Sequence, residues 1–179
     1  MLLDWREEPI ARHHDRAGFD CGSTELNEYL ERYARQNHER GGAKTFVAVA
    51  PGEPDRVLGY YSIAPGSIES DRAPGEIRQR LGRYPIPVFR LARLGVDQSV
   101  QGQGLGGEML FAAAERALAV ANEVGGVALV IDAKDEAAAE WYARFGAVPL
   151  LDNPLELFLP LATVRDAIER LATERGGDA

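Results

Sequence analysis

The stretch Val96-Asp97-Gln98-Ser99-Val100-Gln101-Gly102-Gln103-Gly104-Leu105-Gly106-Gly107 constrains the fold more than any other part of the chain. It joins an apolar run to an alanine-rich one through a glycine loop. Glycines let the backbone turn with positive φ and come close to a ligand, while the helix that follows presents unpaired N–H groups and a positive dipole end. Such a junction receives phosphate oxygens. A P-loop needs Gly-Lys-Ser/Thr at the loop's end so that the lysine reaches the outer phosphates. Here Gly106 is followed by Gly107 and Glu108, and that reading fails. A dinucleotide fingerprint fits formally: Gly102, Gly104 and Gly107 give G-x-G-x-x-G, and Asp132 ends the next apolar run. Two things oppose it. The polar run Asp97 to Gln101 separates the first glycine from its strand, and the segment after Asp132 is too short to complete a doubly wound sheet. A plain glycine-rich turn stays open beside these readings.

The rest of the chain supplies the context. Ser23 or Thr24 reads as an N-cap, and Leu26, Tyr29, Leu30 and Tyr33 follow at helical spacing. Lys44 to Ala50 and Val57 to Ala64 read as an antiparallel pair joined by the turn-rich Pro51 to Asp55. Residues 66–85 read as irregular or briefly helical. Val88 to Val96 is the next strand and Leu105 to Val120 a helix. Val127 to Ile131 is an unbroken apolar run, suited to a strand buried on both faces. Asp135 caps a short helix through Phe145, stopped by Gly146. Val148 to Leu151 and Leu155 to Leu159 form a closing pair, and a helix from Val164 to Leu171 precedes a polar tail from about residue 173. Antiparallel strands first, then strand–loop–helix–strand, predict an α/β domain over 1–179: a mixed central sheet with a parallel central pair and flanking helices.

Composition narrows the setting. The N-terminus is charged where a secretory signal needs an apolar run, and no stretch reaches membrane-spanning length, so a cytoplasmic protein is expected. Cys21 stands alone, which rules out an internal disulfide and a cysteine metal cluster. His13, His14 and His38 lack metal-ligand spacing with any Cys or acidic partner, so no metal is expected. The net charge is −8, yet residues 1–95 hold 14 basic and 14 acidic side chains; the whole excess lies in 96–179, with 6 basic against 14 acidic. Within 72–93, Arg72, Arg78, Arg80, Arg83, Arg90 and Arg93 face only Glu76. A basic segment on an acidic chain is either a solvated face or a footprint for a phosphate backbone.

Gln101, Gly104 and Gly106 match Gln/Arg-x-x-Gly-x-Gly/Ala, the acyl-CoA loop of the GNAT acetyltransferases, and Trp141-Tyr142-Ala143-Arg144-Phe145-Gly146 is similar to their aromatic–Tyr–x–x–Phe–Gly helix end. The chain resembles that superfamily over nearly its whole length. A narrower likeness runs through Phe19-Asp20-Cys21-Gly22, Leu26 to Leu30, Gly59-Tyr60-Tyr61-Ser62 and Leu91 to Asp97, which together resemble the GNAT toxins of type II toxin–antitoxin modules. The resemblance implies a GNAT fold with splayed strands, acetyl-CoA as co-substrate, and transfer of acetyl to the α-amino group of aminoacyl-tRNA, which blocks translation. It also implies a ribbon-helix-helix antitoxin as partner. Whether the chain forms a homodimer stays open, since the basic segment or the last helix could serve either contact.

The same resemblance assigns roles. Backbone groups of Leu94, Gly95 and Val96 would bond the pantetheine arm as an added strand would, and amides of Gln101, Gly102, Gln103, Gly104, Leu105, Gly106 and Gly107 would hold the pyrophosphate. Tyr142 is the candidate general acid: its phenol, near roughly pKa 10, stays protonated beside a leaving thiol of roughly 8.5. No general base stands out, though Glu69 or Glu76 could serve through water. That suits an α-amine, already partly neutral with a pKa of roughly 8, better than a lysine at roughly 10.4. Arg78, Arg80, Arg83, Arg90 and Arg93 are candidate tRNA contacts through bidentate forks. In a regular strand Arg90 and Arg93 face opposite sides, so both reach one ligand only across a bulge. The alternatives are a GNAT enzyme for a protein or small-molecule amine, a CoA-binding module without catalysis and, more distantly, a nicotinamide oxidoreductase.

Overall fold

The computed structural model describes residues 3–176. Seven strands form one mixed sheet in the order β1-β2-β3-β4-β5-β7-β6, with one parallel pair. The chain divides into two compact units, residues 1–64 with 91–113, and residues 65–90 with 114–179.

In the first unit, β1 (Arg6–Pro9) pairs antiparallel with β2 (Lys44–Ala50), which pairs antiparallel with β3 (Glu53–Ile68). Strand β1 has no apolar period and was not foreseen; it is a short charged edge, where alternation is not required. Strand β3 starts earlier than expected. Its Pro54 and Asp55 read as turn, but register shifts after Ala48 and Val49 absorb them, and only Pro51 and Gly52 turn. Ser23 caps helix α1 (Thr24–Glu28), its hydroxyl accepting from the Leu26 amide. A wider π-helical turn, Tyr29–Tyr33, then leads into α2 (Ala34–Arg40), a change of pitch that the helical spacing did not show. Phe19, Leu30, Val47, Val49, Val57 and Tyr60 make the core here.

The second unit holds a short helix α3 (Gly75–Leu81) and the first half of β4 (Ile86–Val96). It also holds β5 (Ala128–Asp132), α5 (Glu136–Ala143), β6 (Val148–Pro149), β7 (Glu156–Pro160) and α6 (Leu161–Gly176). Strand β7 pairs antiparallel with both β5 and β6. Ala128 to Ile131 are fully buried, as the unbroken apolar run predicts. Asp135 caps α5 by accepting from the Ala138 amide, and Gly146, at φ 95°, ends the turn after it. Helix α6 continues to Gly176, so the expected polar tail from about 173 is helical that far, while 177–179 lie outside the described residues. Helix α4 (Leu105–Val124) buries Leu105, Met109, Leu110, Ala113, Ala114, Ala117 and Leu118, one apolar stripe at helical spacing.

Candidate active site

Strand β4 delivers the glycine loop. Asp97 stops the strand, and its carboxylate accepts from the amides of Asp20 and Ser99 and from the Ser99 hydroxyl. Burial pushes that carboxyl up, but the hydrogen bonds from Ser99 and Asp20 outweigh it, and its pKa lies below the usual value. The Gln101 side chain does not reach outward. Its amide donates to the carbonyls of Val96, at 2.9 Å, and Cys21, at 3.1 Å, stapling the base of the loop to the turn before α1. That turn is knit by Asp20, which accepts from the Gly22 amide and the Asn27 side chain. The Phe19-Asp20-Cys21-Gly22 run is therefore a buttress for the loop, and Cys21, buried at its centre, packs rather than reacts.

Above this base the loop is open. Gly102 and Gly104 adopt φ of 77° and 89°, which other residues rarely take, and a Cβ on either would meet nothing within 4 Å. Residues 101–104 are exposed and run straight into a helix of 20 residues, whose first amides have no partner within the helix. Backbone donors on an uncrowded, glycine-shaped turn fit the diphosphate of coenzyme A. Nearby, Trp5 donates its indole N–H to the carboxylate of Glu108 in the first turn of α4, which makes Trp5 a packing residue.

Leu94, Gly95 and Val96 lie on the last turn of pleat before the loop. Packing around Gly95 is close: a Cβ there would stand in van der Waals contact, 3.4 Å from Cys21 Sγ and from the Tyr60 ring. Across the unit, a Cβ at Gly59 would come within 2.6 Å of Met109 Sδ and 3.1 Å of the Gly95 carbonyl. Tyr60, Tyr61 and Ser62 beside it are buried, with Ser62 bonded to Thr45 at 2.6 Å. The Gly-Tyr-Tyr-Ser motif is thus a packing device.

Tyr142, on α5, is buried, with Trp141 edge-on to its ring at 4.9 Å between centroids. Burial first, and the charge of Asp132 second, hold its phenol above the usual value. It stays protonated through neutral and mildly alkaline pH. Glu69 and Glu76 are both exposed surface carboxylates.

The five arginines do not form one cluster. Arg90 Nη1 lies 2.5 Å from Asp132 and 3.3 Å from Glu156, and Arg72 holds Glu156 and Asp152 at 3.0 and 2.7 Å. Asp132 and Glu156 sit directly opposite on β5 and β7, a like-charge pairing that costs stability unless a cation bridges it. Arg93 instead lies 3.7 Å over the Tyr29 ring, with its buried Nε lacking a hydrogen-bond partner. Arg78, Arg80 and Arg83 are exposed. The alternation along β4 therefore gives Arg90 and Arg93 different surroundings.

Replacing Arg90 by glutamine should destabilise the fold by about 1–2 kcal/mol at neutral pH. Glu156 is held low because the bonds from Arg72, Asn153 and Arg90 outweigh its burial. Its contribution is present above the ordinary carboxylate pKa and fades as pH falls through the lowered value. The gap between Arg90→Gln and the parent should shrink in the same acid range. Thermal melts from pH 7 to pH 3 test this; a gap independent of pH would contradict the bridging role.

The histidines depart from expectation. Chain reversal after β1 brings Glu8, His13 and His14 together, with ligand atoms within 4.8 Å. Sequence spacing missed this because the contact closes a turn rather than a helix face. The set does not suit a cation as it stands. His14 Nδ1 accepts from the Ala11 amide, leaving the proton on Nε2, which donates to Glu8 at 3.1 Å. Ligation through Nε2 would cost that arrangement. His38 also accepts through Nδ1, from the Thr45 amide.

Comparison with known proteins agrees with this geometry. Residues 7–147 match the Acetyltransferase (GNAT) family. A tRNA-acetylating toxin of Mycobacterium tuberculosis is 35% identical over 159 residues, covering 89% of this chain and 93% of that protein. The structure of AtaT complexed with acetyl-methionyl-tRNAfMet superposes with a TM-score of 0.86 at 26% identity, covering 92% of this chain and 99% of AtaT. A tyrosine-to-phenylalanine mutant of AtaT, bound to acetyl-CoA and the C-terminus of the antitoxin AtaR, gives 0.80 at 27% identity over 92% and 98%. With its mixed sheet, its open glycine loop and these relatives, the chain belongs to the GNAT acetyltransferase family.

Proposed function

We propose that this chain is an acetyl-CoA-dependent N-acetyltransferase acting on the α-amino group of aminoacyl-tRNA, the toxin of a type II toxin–antitoxin module, working in the cytoplasm without a metal. The observation that carries the reading is the likeness, across 89% of the chain, to a tRNA-acetylating toxin. Acetyl-CoA supplies the activated acetyl group as a thioester. Amides from Gln101 to Gly107 grip its diphosphate, and the backbone of Leu94 to Val96 holds the pantetheine arm. Tyr142, kept protonated by burial, gives its proton to the departing sulfur. Taken alone that transfer runs uphill in pKa, so the proton moves as the C–S bond breaks, and the phenolate is refilled by the proton that the amine releases through water. Glu69 and Glu76 remain exposed on the surface, and the acceptor amine loses its proton to water; an α-amine needs no more help than that.

Arg78, Arg80, Arg83 and Arg93 contact the tRNA phosphates in this reading, while Arg90 joins them only by releasing a carboxylate. The partner in this reading is a ribbon-helix-helix antitoxin; a relative, AtaT, is solved bound to the C-terminus of the antitoxin AtaR. Mass spectrometry of charged tRNA incubated with the protein and acetyl-CoA should show one acetyl group on the aminoacyl moiety. Acetylation of proteins or small amines alone would replace the acceptor. Cofactor binding without turnover on any amine would leave a binding module. Affinity for tRNA should fall steeply with salt, and the slope should flatten by about one for each of these arginines replaced.

A further inference from the structure

The segment between β3 and β4 holds a group that this chemistry does not use. Tyr84 is 83% exposed, the most exposed large hydrophobic side chain among the described residues. It follows α3, whose Arg78 and Arg80 are exposed, and adjoins the exposed Arg83. Among the described residues none of these three arginines is ion-paired, whereas Arg72 and Arg90 in the same unit are. Glu76 is the one acid between Arg72 and Arg93. Gly82, at φ 73°, separates the helix from Arg83 and Tyr84.

An exposed aromatic ring on the same short segment as three exposed arginines, none ion-paired among the described residues, matches one chemistry closely. Guanidinium forks take phosphates, and an exposed ring takes the π-face of a base. A base inside a duplex is already covered on both faces, so the ring selects unpaired nucleotides. An acidic peptide would satisfy the arginines but supplies no flat partner for the ring. In the acceptor proposed above, the amino acid hangs from an unpaired 3′ end.

We propose that Tyr84, adjoining Arg83 and four residues after Arg80, is a stacking platform for an unpaired base at the 3′ end of the acceptor RNA, with these arginines taking its phosphates. This rests on the tRNA reading and refines it: Tyr84 is a binding residue that selects single-stranded RNA. The test uses the whole chain with two probes, end-labelled deacylated bulk tRNA and the same tRNA stripped of its unpaired 3′ nucleotides. Tyr84→Ala should weaken binding of the intact probe about tenfold and leave the stripped probe within twofold, while Tyr84→Trp keeps the parent affinity. Equal weakening of both probes, or of neither, overturns the platform. So does a Tyr84→Ala variant that binds both RNAs normally but no longer binds the antitoxin. Should the unaltered protein bind neither RNA, the acceptor reading itself falls; should it bind both and ignore Tyr84, only the platform does.

Discussion

Tyr142→Phe is expected to lower kcat by about 100-fold or more while acetyl-CoA affinity changes less than about twofold. The reasoning separates ring from hydroxyl. The ring is buried against Trp141, and phenylalanine keeps that contact, so the fold and the cofactor-binding backbone persist. The hydroxyl alone supplies the proton, and its loss leaves the thiolate to depart unassisted. Because burial and the Asp132 charge both raise the phenol, the parent should show no alkaline fall of kcat from Tyr142 below about pH 10. Calorimetry for acetyl-CoA, paired with turnover on charged tRNA from pH 7 to pH 9.5, checks both halves. Equal loss of affinity and rate would make Tyr142 a packing residue.

Much of the site was legible because it is written in local chemistry. Glycines at 102 and 104 announce positive φ, and the structure holds them there; Ser23 and Asp135 announce caps, and both cap. Runs buried on both faces, such as Ala128 to Ile131, could be read as strands without knowing their neighbours. What failed to show depends on distant partners. Strand β1 is a strand only because β2 offers it an edge, and nothing in Arg6-Glu7-Glu8 hints at that. The π-helical turn at Tyr29 to Tyr33 buries Tyr29 and Leu30 but turns Tyr33, the last member of the expected stripe, out to half exposure, a shift of face that ordinary helical spacing does not foretell. Arg90 reads as a candidate tRNA contact or a salt bridge to the acidic half, and only the fold, with β7 bringing Glu156 beside Asp132, names its partners. Gln101 matches the loop signature, yet the structure gives its side chain to Val96 and Cys21. The motif therefore records loop construction as much as ligand contact.

Gly104→Val should raise the dissociation constant for acetyl-CoA by about 10- to 100-fold and leave the melting temperature nearly unchanged. A Cβ at this position touches nothing within 4 Å, so no clash contributes. The penalty is conformational. At φ 89° a β-branched residue is disfavoured by about 1–3 kcal/mol, and the loop relaxes toward negative φ. In the free protein that relaxation is nearly harmless, since residues 101–104 are exposed and the staple from Gln101 lies below them. Binding needs the original conformation back, so the strain appears in cofactor affinity. A factor of ten corresponds to about 1.4 kcal/mol, which sets the scale above. Gly104→Ala should fall between parent and valine, because alanine tolerates positive φ better than a branched side chain. Calorimetry on the three proteins gives the order. If valine bound the cofactor as tightly as glycine, the diphosphate would not be seated on this backbone, and the loop would be an ordinary turn.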